Sequence, residues 1–322
     1  TIVGAACLTG SGGTEVSFQK FLKGETVAGT FPENDITKDL PARQIRRLKR
    51  LPKISLSLAM AAAKDAGTGF TPASIFFSTG WGPLSETYDF LIKLYDSNMR
   101  FSSPTDFIGS VHNAPAGQLA MWFKATGANI TATCGDYSFE HSLLMSSLVA
   151  SEGEHILILG ADEAHSIMSP LLDPSAAADR VLSDGGGAFM VVAKTNAQGP
   201  LLAPIACKSI QAGTDTGLAL KEVIDQLPDI NKQFGALFAG IPLMSETAAH
   251  DQLNKFLSLS GFQGPVVDYR RYTGQYASAS AAAAVLAFRV ARAGKLPAPL
   301  AGSRDVFLDG KGILLMGFGQ SI

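Results

Sequence analysis

GANITATCGDYSFEHSLLMSSLVASEG, residues 127–153, decides the reading of the fold. Ile130–Cys134 is an uncharged run of small and β-branched residues, as in a buried strand. Gly135-Asp136 breaks the run, and Phe139–Ser151 then reads as a helix. The whole is a strand, a sharp turn and a helix. Many enzymes seat a nucleophile at such a turn, because the field of the helix N-terminus favours an anion there.

On either side, strand-like apolar runs alternate with helix-like ones, which predicts α/β architecture. The other predicted strands are Ile2–Leu8, Ala73–Thr79, His155–Ala161, Ala188–Ala193, Ala236–Gly240, Pro265–Val267 and Gly312–Met316. The other predicted helices are Gly13–Gly24, Ile54–Ala66, Leu84–Tyr95, Ala114–Lys124, Ala248–Leu259 and Ala277–Ala293. The last is rich in alanine, as a helix buried against close neighbours would be, and Gly294, Lys295 and Pro297 stop it. Gly185-Gly186-Gly187 reads as a turn before a strand, so it is not a phosphate-binding loop. Gln198-Gly199-Pro200 is the best internal boundary and divides the chain into halves 1–197 and 198–322.

A chain of 322 residues with 17% charged residues can bury a large core. Its formal net charge of −2 supplies no basic field, which argues against nucleic-acid binding. Cys7, Cys134 and Cys207 are far apart and form no CxxC pair, so neither a disulfide framework nor a zinc site is expected. Reduced thiols fit a cytoplasmic protein. No apolar run approaches the roughly 20 residues of a membrane span. The opening TIVGAACLTG reads as a first strand and lacks the basic region of a signal peptide. No metalloprotease, EF-hand or phosphate-loop motif is present, and no metal or cofactor is expected.

The segment 127–153 resembles the nucleophile segment of the β-ketoacyl synthases, and further matches follow in order along nearly the whole chain. LTGSGG resembles their opening, and PARQIRRLKRLPKISLSLAMAAAKDAG their first long helix. SPTDFIGSVHNAPAGQLA, DRVLSDGGGAFMVVAK and KGILLMGFGQSI resemble three later segments, the last a terminal glycine–phenylalanine–glycine loop. The resemblance implies a thiolase-like fold: two similar halves forming a five-layered α/β/α/β/α sandwich, at least dimeric. It also implies a cysteine nucleophile that takes the acyl chain and two histidines that assist decarboxylation and stabilise the enolate.

All three catalytic positions differ here. Asp136 stands where the family has its cysteine, and Gln275 of Gly274-Gln275 where it has one histidine. The window FAGIPLMSET, residues 238–247, matches the other histidine motif and contains no histidine. Asp136 reads as a cap of the helix beginning near Ser138; as a nucleophile it would give only a water-labile mixed anhydride. Ser138 is an alternative cap or a weak candidate nucleophile, and Cys134 reads as an inert strand cysteine and a second weak candidate. His141 and His250 read as an ordinary partly buried residue and a solvent-face residue.

GDYSF, residues 135–139, together with SVHNAPAG most resembles the chain-length-factor type proteins of bacterial aryl polyene clusters. These have a ketosynthase fold without its chemistry. The resemblance implies a non-condensing subunit that pairs with an active β-ketoacyl-ACP synthase in type II polyketide or fatty-acid biosynthesis and shapes its acyl tunnel. Its partners would be that ketosynthase and an acyl carrier protein, with homodimers possible in isolation. Ile130 would lie at the interface; His112, Asn113, Phe139 and Phe318 are candidate tunnel or interface residues. The alternative is an active acyltransferase or malonyl decarboxylase using Ser138 or Cys134.

Overall fold

The computed structural model describes residues 1–100, 103–176, 181–195, 199–208, 210 and 214–319. Its principal strands are β1 (Ile2–Thr9), β2 (Ser74–Ser78), β3 (Asn129–Ala132), β4 (His155–Asp162), β5 (Gly185–Val192), β6 (Phe234–Gly240), β7 (Val266–Asp268) and β8 (Gly312–Gly317). Its principal helices are α1 (Thr14–Leu22), α2 (Arg50–Ala66), α3 (Leu84–Asp96), α4 (Pro104–Ser110), α5 (Ala114–Phe123), α6 (Ser138–Val149), α7 (Thr216–Ile224), α8 (Glu246–Ser260) and α9 (Ala279–Ala293).

Alternate residues of each strand point to opposite faces, and here both faces are apolar and covered. Ile75 and Phe77 of β2, with Leu157 and Leu159 of β4, pack outward against Ile54, Leu58 and Ala62 of α2. Phe76 and Ile158 point the other way, into a core shared with α6 and α9. β6 repeats the pattern: Ala236 and Phe238 face that inner core, while Leu237 and Ala239 face α7 and α8. The layers therefore run helix, sheet, helix, sheet, helix. This is the five-layered thiolase-like α/β sandwich.

The first sheet has the order β1-β5-β4-β2-β3, extended beyond β1 by Gly12–Gly13, and the second has the order β8-β6-β7. In each half a central parallel strand, β2 or β6, has two neighbours. One neighbour, β3 or β7, leads through a turn to an inner helix, α6 or α9; the other, β4 or β8, closes the parallel unit. The halves are similar in this way, but β1 and β5 pair antiparallel and enlarge only the first sheet.

All eight predicted strands and all seven predicted helices are found, with shifted ends. Helix α7 lies outside that reading; Asp215 caps it by accepting from the Gly217 and Leu218 amides at 2.7 and 3.3 Å. The glycine run 185–187 is not a turn but the start of β5, paired with β1 and β4. The reason is close approach: a Cβ on Gly187 would sit 2.1 Å from the Ala281 carbonyl oxygen of α9. The boundary at Gln198 lies outside the described residues.

Candidate functional site

After β3 the chain passes through Thr133 and Cys134 into a single 3-10 turn, Gly135–Tyr137, and then α6. Gly135 takes φ +56°, the left-handed region that glycine enters at low cost. The Ser138 hydroxyl accepts from the Cys134 amide at 2.9 Å and donates to the Gly135 carbonyl at 2.6 Å, which staples the turn. Tyr137 donates its hydroxyl to the Phe318 carbonyl at 2.9 Å, tying the turn to the terminal loop.

Neither candidate cap acts as one. The N-cap position of α6 falls on Tyr137, with no side-chain bond to the helix amides. Asp136 reaches out of the turn and pairs with Arg270 instead, Oδ1 to Nη2 at 2.9 Å. Arg270 is 3% exposed, so a cation buried in the second half finds its counter-ion in the first. Its Nη1 also donates to the Tyr276 carbonyl at 3.2 Å. An ion pair is worth more to Asp136 than a cap when the partner is buried and otherwise uncompensated. Glu140, one turn along α6, is pushed up to about 7 by burial, against the pull of Arg270.

The turn leading to α9 lies opposite. Gln275 accepts weakly from the Leu243 amide at 3.4 Å, which brings together the Gly274-Gln275 pair and the 238–247 window. The terminal loop is clamped alongside, where Gln252 of α8 exchanges two hydrogen bonds with Gly319 at 2.7 and 2.8 Å. A cavity of about 320 Å³ lies here, lined by Arg270, Arg271, Gln275, Leu243 and Ser183 among others.

Asp162, at the end of β4, holds the two halves together. It is fully buried and accepts from the Thr79 hydroxyl at 2.6 Å, the Gly80 and Trp81 amides at 3.0 and 2.8 Å, and both the amide and hydroxyl of Ser278 at the head of α9. The sequence signal for it was slight: an acidic residue closing an apolar strand, HILILGAD.

The remaining candidates disperse. Cys134 lies beyond the strand and is exposed, not buried in it. Ser138 is fully buried and held by backbone partners, which does not suit a nucleophile. Phe139 and Phe318 are also fully buried, stacked on Phe189 and edge-on to Phe256 respectively. His112 and Asn113 are exposed at the start of α5. Ile130 is partly buried on β3, whose outer edge is unpaired among the described residues. His141 is partly buried and His250 exposed. Burial pushes the Cys7 thiol up to about 12. Among the described residues no group of three or more His, Cys, Asp or Glu side chains is placed to hold a metal, and no helix is long and apolar enough to cross a membrane.

The β-ketoacyl synthase N-terminal domain family matches residues 25–194, more than half of the chain. The chain belongs to the β-ketoacyl synthase family. No curated protein matches it in sequence. A β-ketoacyl synthase from Burkholderia phymatum STM815 is similar in structure at 13% identity and TM-score 0.73, over 99% of this chain and 96% of that one. The ishigamide ketosynthase/chain length factor is similar at 17% identity and TM-score 0.69, over 91% of each chain. A type II polyketide synthase ketosynthase, AntDE, in complex with its acyl-carrier protein AntF, is similar at 15% identity and TM-score 0.69, over 90% of each. At these identities the shared property is the ketosynthase fold.

Proposed function

We propose that this β-ketoacyl synthase family member is a non-condensing subunit of the chain-length-factor type. In this reading it pairs with a catalytic ketosynthase of type II polyketide or fatty-acid biosynthesis, of the aryl polyene kind, completes its acyl tunnel, and works with an acyl carrier protein in the cytoplasm. The observation that carries the reading is the ion pair of Asp136 and Arg270. It fills the position of the thiol with a group that cannot form a stable thioester, and the facing turn offers Gln275, which cannot titrate. Two structurally similar proteins are consistent with this, one a ketosynthase/chain length factor and one a ketosynthase bound to its carrier protein.

The proposed interface is the open edge of β3, centred on Ile130, with His112 and Asn113 just before α5. An unpaired edge without charge invites pairing and is a liability if left uncovered. The helices flanking it support the assignment: Met121 at the outer face of α5 is 66% exposed, and Leu148 and Val149 of α6 are 65% and 48% exposed. Exposed apolar residues on the helices to either side of an open edge fit an association surface. Residues 1–197 and 198–322 are proposed as the two thiolase-like halves.

Co-expression with a catalytic type II ketosynthase followed by native mass measurement tests the reading. The expected species is a 1:1 heterodimer, with homodimers when the partner is withheld and neither when Ile130→Lys charges the edge. A monomer at micromolar concentration, or normal assembly of the Lys variant, would show that the interface lies elsewhere.

A further inference from the structure

Helices α3 and α4 are attached to the body by polar groups more than by a core. Only Leu84 of α3 and no residue of α4 is buried, whereas Leu91, Tyr95, Phe107 and Ile108 are exposed. Elements with so few buried apolar contacts open at low cost. The attachment is Glu163, the residue after Asp162 at the end of β4. It is fully buried and accepts from the Ser85 amide at 2.8 Å and the Ser85 hydroxyl at 2.7 Å, in the first turn of α3. The next residue of that turn, Glu86, is covered by α4: a Cβ on Gly109 would sit 3.4 Å from Glu86 Cγ. Its Oε2 is buried and has no hydrogen-bond partner. The cations nearby are already paired, Lys49 with Asp89 and the Ser85 carbonyl, Arg50 with Asp184 and the Phe31 carbonyl. His165, whose ring packs on Tyr88 of α3 at 4.8 Å, has its pKa lowered by burial and offers no compensating charge.

We infer that Glu163 and Glu86 form an acid latch: a proton held on this carboxyl pair keeps α3 and α4 docked, and its loss releases them from the body. Burial pushes Glu163 up to about 8, with the Glu86 charge adding to the rise, and burial raises Glu86 as well. A protonated Glu163 keeps both contacts with Ser85. Its carbonyl oxygen accepts from the amide, and its hydroxyl meets the Ser85 hydroxyl, which can accept as well as donate. Two ionised carboxylates here would repel each other in a poorly solvated site. The docking contribution of Glu163 is therefore full below its ordinary 4.5 and is lost as pH rises through about 8. The latch is built from this chain alone, so it stands or falls independently of a partner subunit.

Amide hydrogen exchange at pH 7 and pH 9, corrected for the intrinsic exchange rate, tests it. The amides of α3 should lose about tenfold in protection across that interval, the factor that follows from one carboxyl titrating near 8 only when docked, while those of β4 keep theirs. Glu163→Gln retains an acceptor and a donor for Ser85 without a charge, and should hold α3 docked at both pH values. Glu86→Gln removes the like charge beside Glu163 and should shrink the loss. Circular dichroism and melting curves check that each variant folds. Equal protection of α3 in the parent at the two pH values, an equal loss in β4, or the full tenfold loss in either folded variant would each overturn the latch.

Discussion

The two turns that face each other across the molecule are built alike and serve opposite ends. The first runs from β3 through Gly135-Asp136 into α6, at an open sheet edge. The second runs from β7 through Arg270–Thr273 and Gln275 into α9, with Arg270 and Thr273 buried and Arg271 exposed. The first turn supplies an anion and the second a buried cation, and one bond joins them. In a condensing enzyme the same juxtaposition brings a nucleophile to its acid–base partners. Here the two turns are joined by an ion pair, which couples the two halves by charge.

The largest effect should come from removing the anchor beneath both turns. Asp162→Ala strands the Thr79, Gly80, Trp81 and Ser278 donors in the interior, and should cost about 4 kcal/mol by urea unfolding. If the cost is below about 1 kcal/mol, the two turns are held by something else. Next comes the ion pair. Asp136→Ala leaves a buried cation uncompensated, a change that costs 3–5 kcal/mol in full burial, and about 2 kcal/mol here because the Asp136 side chain is 35% exposed. Asp136→Asn keeps a hydrogen bond and should cost less, while Asp136→Cys should gain a reactive thiol yet turn over no malonyl-carrier protein. A β-ketoacyl product from that single variant would mean that the missing histidines have been misplaced.

A smaller effect is pH-dependent. Burial raises the Glu140 carboxyl from 4.5 to about 7, so between these values the folded chain holds a proton that the unfolded chain releases. Its stabilising contribution is full below pH 4.5 and is lost as pH rises through about 7. Glu140→Gln should flatten that part of the stability profile relative to the parent; an unchanged slope would show that the carboxyl is not buried against Arg270. The smallest effect belongs to the second turn: Gln275→His should change stability by less than about 1 kcal/mol and restore no condensation while Asp136 stays in place.

How much of this was legible in the sequence follows from the range of each interaction. The strands are read from short apolar runs, and α9 from its alanines, because local composition decides which faces are buried. The turn at Gly135-Asp136 is local too. The pairing of Asp136 with Arg270 is not: the residues are far apart in sequence, and a cap is the only role that local spacing can offer to an aspartate ahead of a helix. The glycine run 185–187 was misread for the same reason. Glycines signal a turn unless a distant helix presses on the strand, as Ala281 does on Gly187. Cys134 looked buried because β3 was read to extend through it, whereas the strand ends at Ala132.

The central claim is that this chain carries no acyl group of its own. Intact mass of the co-expressed pair, after incubation with acyl- and malonyl-loaded carrier protein, tests it most directly. The account predicts an acyl adduct on the partner ketosynthase and none on this chain. A stoichiometric adduct on this chain, mapped to Ser138 or Cys134, would contradict it.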